Sequence, residues 1–181
     1  MALVVKTTLR ADVQLANLQR LCDMATGMVN QLTRIEPAVL EDIPQLTELL
    51  IDLFSHEPDF RVDSETQMRG LRLIMEQPNR GRIFVLRTDN AIIGMINLLF
   101  TISTAEGGFV ILLEDIVIHH LHRGQGYGSQ LLKYAIEFAR QKNFLRITLL
   151  TDRINPDAMH FFESHGFVKS AMVPMRYWLK R

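Results

Sequence analysis

The sequence predicts an α/β fold in which a central mixed sheet of six to seven strands is flanked by about four helices. Apolar runs of strand length alternate along the 181 residues with segments whose apolar residues recur at helical spacing, a pattern typical of sheets covered by helices. Hydrophobic residues make up 48% of the chain, which is enough for one well-buried core at this length. We therefore expect one domain, over residues 34–181.

The first half of this domain is predicted to begin with a strand and two helices. RIEPAVL is the strand, and Asp42 followed by Pro44 marks a helix start. A second helix is predicted over 64–76, because Ser64 and Gln67 have the spacing of a capping box. Three strands follow, in the segments RIFVLRT, AIIGMINLLFTIS and FVILLEDIVI, and the last is apolar enough to be central in the sheet.

The second half is predicted to contain two helices and three strands. After a glycine-rich turn, apolar residues repeat at helical spacing as far as Lys142. RITLLTD is predicted as a strand, after which Asn155 caps a short helix that ends at Gly166. Two terminal strands, FVKSAM and MRYWLKR, complete the predicted domain.

Residues 1–33 are predicted to form an N-terminal extension of this domain. Their apolar residues fit a helix loosely, at Val13, Ala16, Leu21, Met24, Met28 and Leu32. Three interpretations stay open: a docked helix, a helix that binds a partner chain or completes a homodimer, and a mobile tail.

The composition narrows the class of partner and the compartment. The 20 Lys and Arg residues balance the 20 Asp and Glu residues, so no broad basic field is present to bind nucleic acid or an anionic membrane. Cys22 is the only cysteine, which excludes an internal disulfide and a cysteine-built zinc site. No apolar run has the length of a membrane span, and the first residues lack a signal-peptide pattern. We expect a cytoplasmic protein whose partner is a small molecule or a protein.

The segment HRGQGYGS, residues 122–129, lies between a predicted strand and a predicted helix. Backbone N–H groups in such a turn point into one concavity at a helix N-terminus, which favours an anion such as phosphate. Arg123 adds a cation, and Ser129 adds a hydroxyl. The phosphate loop of NTPases is excluded because Gly-Lys-Ser/Thr is absent, and the dinucleotide fingerprint because the third glycine is misplaced. The alternative is a tight turn whose glycines only allow packing.

The stretch Arg123-Gly-Gln-Gly-Tyr-Gly128 resembles the R/Q-x-x-G-x-G/A signature of the GNAT superfamily of N-acetyltransferases. Two further segments are similar to the same family: LLEDIVIHHLH to its fourth strand, and TDRINPDAMHFFESHGF to its N-x-x-A-x-x-F-Y-x-x-x-G-F segment. Together with the order of elements, the resemblance covers roughly four-fifths of the chain. It implies a GNAT-like fold, acetyl-CoA as cosubstrate and direct attack by a primary amine of a small molecule or peptide in a ternary complex.

The resemblance also implies roles for particular residues. Backbone groups of Ile116, Val117 and Ile118 would contact the pantetheine arm. Asn155 would meet the pantetheine near the thioester, which is compatible with capping its helix, and Phe162 would lie near the same end of the cofactor. The pyrophosphate would be held by Arg123, Gly124, Gln125, Gly126, Tyr127, Gly128 and Ser129.

A base is needed for this chemistry, because an unperturbed alkylamine is protonated near neutral pH. Glu114 and Asp115 stand in an apolar strand, where alternation of side chains allows only one of them to face the acceptor. Glu114 has the parity of Ile116 and Ile118, and in the resemblance it occupies the position of a general-base glutamate. We predict Glu114 as the base, directly or through water, and Asp115 as structural. A structural ion pair is the alternative for Glu114.

Phe162 departs from the family pattern. Many relatives carry a tyrosine there whose hydroxyl can protonate the leaving thiolate, and phenylalanine has no proton to give. A thiol pKa near about 8.5 makes the thiolate tolerable as a leaving group without a dedicated acid. The first interpretation is therefore an active N-acetyltransferase. The alternative is a CoA-binding sensor or interaction module with weak or no catalysis.

Other polar residues have less specific patterns. The three histidines within residues 119–122 have no carboxylate or cysteine following at ligand spacing, so no metal site is predicted. Acceptor selection is predicted to fall to Asn97 and to the loop SHEPDFRVD, in which Glu57 and Asp59 attract a cationic amine. A solvated loop of mixed charge is the alternative.

Overall fold

The computed structural model describes residues 32–55, 62–89, 91–151 and 155–179. Five strands are present in these ranges: β1 (Arg34–Pro37), β2 (Gly81–Arg87), β3 (Ile92–Ser103), β4 (Gly108–Ile118) and β5 (Ile147–Leu149). Four α-helices accompany them: α1 (Ile43–Ser55), α2 (Ser64–Met75), α3 (Tyr127–Gln141) and α4 (Pro156–Glu163). Short 3-10 turns form at Leu40–Asp42 and His120–His122.

The five strands form one mixed sheet in sequential order. Strands β1 to β4 pair antiparallel, and β5 pairs parallel with β4. The central strands are apolar on both faces, so each face must be covered. One hydrophobic core joins the sheet to α3 and α4, and a second core on the opposite face joins it to α1 and α2. The predicted α/β fold class is therefore confirmed.

A β-bulge interrupts the pairing of β3 with β4. The register shifts by one residue, which leaves Glu114 as an extra residue on β4. Leu113 and Ile116 both pack in the core beside α3 and α4, although three positions separate them. Since side chains alternate along each regular segment, Glu114 and Asp115 both lie on the opposite face, toward α1 and α2. The predicted parity of Glu114 with Ile116 was therefore wrong.

The helix starts differ slightly from the sequence prediction. α1 begins directly after Asp42, as expected. α2 is capped by Asp63, whose carboxylate accepts a hydrogen bond from the Glu65 N–H at 3.2 Å. The sequence predicts a capping box at Ser64 and Gln67, whereas the structure has Asp63 as the cap, since aspartate caps as well as serine. Gln67 Oε1 accepts a hydrogen bond from the Asp63 N–H.

The prediction of six to seven strands was wrong for the described part of the chain, which contains five. The segments FVKSAM and MRYWLKR form no strand as far as residue 179. A segment with the composition of a strand forms one only when another strand lies beside it. Here the Met172 N–H instead donates a local hydrogen bond to the Ser170 hydroxyl at 3.1 Å. Pro174 has no N–H to give to a ladder, and Val168 is 89% exposed.

The helix predicted within residues 9–34 lies almost wholly outside the described residues and stays a prediction, as does an extension over 1–33. Strand β1 begins at Arg34. Within the described ranges, no helix is both long and apolar enough to cross a membrane.

Candidate active site

The glycine turn joins the end of β4 to the start of α3. Gly124 and Gly126 adopt left-handed backbone conformations, with φ of +73° and +84°, which disfavour residues that carry a Cβ atom. A Cβ at either position would meet no atom within 4 Å. The glycines are therefore required by backbone conformation and not by lack of space, and Gly126 directly precedes the first helical residue of α3.

A cavity of about 230 Å³ opens between this turn, the end of β4 and α4. It brings together all the residues predicted to bind the cofactor except Gln125, Asn155 and Phe162. Its lining consists of Ile116, Val117, Ile118, His122, Arg123, Gly124, Gly126, Tyr127, Gly128, Ser129 and Phe161.

Arg123 fastens the turn to two other elements. Its Nε donates to the Ile118 carbonyl at 2.9 Å, and its guanidinium forms an ion pair with Asp52 of α1. The Arg123 side chain is only 10% exposed. The fixed cation predicted from the sequence is therefore balanced by a carboxylate, and it connects α1 and β4 to the turn.

Two aromatic residues of α4 divide between the cavity and the core. Phe161 lines the cavity, and its ring lies 3.6 Å from the position that a Cβ at Gly128 would occupy. Phe162 is buried in the core with Ala158, one helical turn earlier. The sequence prediction missed Phe161, although the i, i+4 pairing of Ala158 with Phe162 could have indicated which aromatic faces the core.

One of the three histidines before the turn takes part in the cavity. His122 lines it, and the ring centroids of His119 and His120 are 4.4 Å apart. Burial lowers the pKa of His119 and of His122, and positive charge on His120 lowers both further. In the described ranges, no group of three His, Cys, Asp or Glu side chains is arranged to hold a metal ion.

Asn155 caps α4 as the sequence predicted. Its side-chain oxygen accepts a hydrogen bond from the Ala158 N–H at 3.0 Å. It does not line the cavity, so the structure leaves its predicted contact with pantetheine a prediction.

A cluster of three buried polar side chains lies at the bulge, on the face of the sheet toward α1 and α2. Asn97 of β3 is 2% exposed, Glu114 is 8% exposed and Asp115 is 3% exposed. The Asn97 amide Nδ2 donates to Asp115 Oδ2 at 3.0 Å. Carboxylates are rarely buried to this extent without a function or a balancing charge. The arrangement suits proton acceptance and cation binding.

The predicted acceptor loop is described only at its two ends. Residues 56–61, which include Glu57 and Asp59, fall outside the described ranges. Their predicted contribution to acceptor selection stays a prediction.

Known proteins resemble this chain along most of its length. The sequence model of the acetyltransferase (GNAT) family matches residues 43–167. Streptothricin acetyltransferase A of Bacillus subtilis is 35% identical over 94 residues, which are 52% of this chain and 51% of that protein. Aminoalkylphosphonate N-acetyltransferase of Salmonella typhimurium is 27% identical over 142 residues, which are 78% of this chain and 89% of that protein. The chain thus spans about half the length of the first relative and most of the second.

Solved structures share the fold. A Clostridium difficile 630 protein superposes with a TM-score of 0.76 at 15% identity, over 83% of this chain and 100% of that one. A Bacillus halodurans C-125 protein described as a transcriptional regulator superposes with a TM-score of 0.71 at 28% identity, over 81% of this chain and 100% of that one. Because the family match covers more than half of the sequence and includes both β4 and the glycine turn, this chain belongs to the acetyltransferase (GNAT) family, an N-acetyltransferase family whose cosubstrate is acetyl-CoA.

Proposed function

We propose that this chain transfers an acetyl group from acetyl-CoA to a primary amine of a small molecule or peptide by direct attack within a ternary complex. One observation carries the proposal: a single strand, β4, contributes to both halves of the site. Its last residues line the cavity at the glycine turn, and Glu114 lies on its bulge two residues before Ile116.

The cavity fits the cosubstrate in chemical character. Backbone N–H groups of the turn and the N-terminus of the 15-residue helix α3 favour the pyrophosphate. The apolar end of β4, Ile116–Ile118, suits the pantetheine arm, and Tyr127 and Ser129 of the lining carry hydroxyl groups. Acetyl-CoA supplies the acyl group as an activated thioester. Asn155, which caps α4, is proposed to meet the pantetheine near the thioester.

Glu114 acts as the general base, directly or through one water. It receives the proton that leaves the amine nitrogen as the carbon–nitrogen bond forms and the carbon–sulfur bond breaks. Water protonates the departing sulfur, because Phe162 has no hydroxyl. Holding both reactants in one site supplies a large part of the rate enhancement in such transfers, which supports catalysis without a dedicated acid.

The acceptor in this proposal is an amine, and the relatives support this class without identifying the compound. The printed names of two relatives refer to streptothricin and to aminoalkylphosphonate. The compounds differ, so the names support the class of amine acceptors and neither compound in particular.

A panel of amines, assayed by release of free CoA thiol, tests the proposal. Glu114→Gln is expected to lower kcat by about 10²- to 10⁴-fold while the KM for acetyl-CoA stays nearly constant. Glu76→Gln is the matched control, because Glu76 is an exposed carboxylate at the end of α2. Equal turnover by the two variants would exclude Glu114 as the base.

Phe162 supports a second candidate, a CoA-binding sensor with weak or no catalysis. Its ring packs edge-on against Phe161 and Phe167, with centroids 5.1 and 5.6 Å away. Tight binding of CoA without acetylation of any amine in the panel would favour the sensor. Phe162→Tyr then separates the two candidates, because a gain in turnover indicates an acetyltransferase that lacks only an acid.

A further inference from the structure

The β-bulge gives β4 an unusual pair of neighbouring side chains. In a regular strand Glu114 and Asp115 would point to opposite faces. The extra residue places both carboxyl groups on the face toward α1 and α2, where both are more than nine-tenths buried. The proposed function uses only Glu114, which leaves a second buried carboxyl group beside the reacting amine.

Asn97 gives an independent observation that points to a ligand. Its Nδ2 is committed to Asp115, and its Oδ1 is buried without a hydrogen-bond partner among the described residues. Buried amide oxygens are nearly always hydrogen-bonded, since leaving such an acceptor without a donor is destabilising. The amide is fixed beside Asp115 by its own hydrogen bond, so its oxygen can accept a further donor within the same buried polar cluster.

A cationic nitrogen is the group that satisfies this chemistry. An alkylammonium offers three donors and a positive charge, whereas carboxylate and amide oxygens only accept. The nitrogen that attacks the thioester must be neutral when it reacts. A cation that binds at Asp115 must therefore be a different nitrogen from the one that attacks.

We propose that Asp115, oriented by Asn97, binds a second ammonium group of the acceptor, so that the enzyme prefers diamines over monoamines of the same length. This inference rests on the proposed function and names its substrate class. Asp115 is then a specificity-determining residue, not the structural residue predicted from the sequence.

Calorimetry on the wild-type protein in complex with CoA gives the first test. The probes are 1,4-diaminobutane, 1,3-diaminopropane and butylamine. We expect at least one diamine to bind about tenfold more tightly than butylamine, because a buried charge pair forms only with the second ammonium. A preference below about twofold for both diamines overturns the inference, and this result needs no variant to fold.

Asp115→Asn gives the second test, since asparagine can still accept the Asn97 hydrogen bond. The preference for the diamine is expected to fall at least about fivefold. Asp89→Asn is the control of equal charge change, because the Asp89 side chain is 70% exposed, and its preference should match the wild type. An Asp115→Asn protein that weakens both amines equally has lost structure, not selectivity, and contradicts the inference. Absence of turnover with every amine would overturn the proposed function, whereas the binding preference is measured without turnover.

Discussion

The two sides of the candidate site are built in different ways. The proposed cofactor side is centred on one contiguous turn, whose backbone conformation is set by Gly124 and Gly126. The proposed acceptor side consists of buried side chains from two strands, Asn97 and the pair Glu114 and Asp115, which a β-bulge brings to one face. A contiguous turn leaves a readable pattern in the sequence, and a bulge between two apolar strands leaves almost none.

Deletion of Glu114 is expected to have the largest effect, and it tests whether the bulge serves the site or the fold. Without the extra residue, Leu113 and Ile116 are separated by Asp115 alone, so regular alternation returns and both apolar residues keep their core. The variant should fold and bind CoA, with turnover lowered by about 10²-fold or more because the base is gone. Circular dichroism, CoA calorimetry and thiol release measure the three properties.

Deleting Leu112 is the matched control for that variant. It removes one residue from a regular part of β4, so every residue on one side of the deletion changes face. This protein should be strongly destabilised. If both deletions unfold the chain equally, the bulge is an essential part of the fold and not an insertion made for the site.

The elements predicted correctly from the sequence are those with local signals. Alternating or continuous apolar runs gave β2 to β4 within a residue or two, helical spacing gave α3, and Asn155 gave the start of α4. The errors concern features that depend on distant partners. FVKSAM has the composition of a strand, but it pairs with no strand among the described residues. The parity assigned to Glu114 assumed regular alternation along β4, whereas a bulge shifts the pairing of β4 with β3 at this residue.

Disruption of the Arg123–Asp52 ion pair is expected to have a smaller effect, and it tests the proposed cofactor side. Arg123→Gln leaves the Asp52 carboxylate facing the anion cradle, so repulsion should raise the KM for acetyl-CoA about tenfold. The KM for acetyl-pantetheine, which lacks the nucleotide and its phosphates, should change much less. Steady-state kinetics with both thioesters measure the ratio.

Adding Asp52→Asn to that variant shows how Arg123 acts. If Arg123 serves mainly to neutralise Asp52 and tie α1 to the turn, the double variant should recover most of the affinity for acetyl-CoA. Additive losses would instead indicate that the guanidinium contacts the pyrophosphate itself. The cycle therefore decides whether the Arg123 side chain is itself part of the proposed pyrophosphate site.

The smallest expected effect comes from the histidines at the cofactor side. Burial lowers the pKa of His119 and His122 below the usual value of 6.5, so the unfolded chain takes up protons at a higher pH than the folded one. Stability should be constant above about pH 7 and should fall as the pH drops through 6.5 toward the lower folded-state pKa. Solvent exposure limits the loss to less than about 1 kcal/mol.

Urea unfolding at pH 7.5 and 5.5 measures this loss. Carboxyl groups also titrate in acid, so the comparison is between variants. The double variant His119→Asn, His122→Asn should lose part of the pH dependence, because asparagine does not titrate in this range. Asparagine at 119 can still accept the Leu121 N–H hydrogen bond that His119 Nδ1 accepts, which preserves the local structure. His160→Asn is the control, because His160 is exposed on α4. If the double variant keeps the wild-type slope, His119 and His122 do not set the acid sensitivity, and the prediction is wrong.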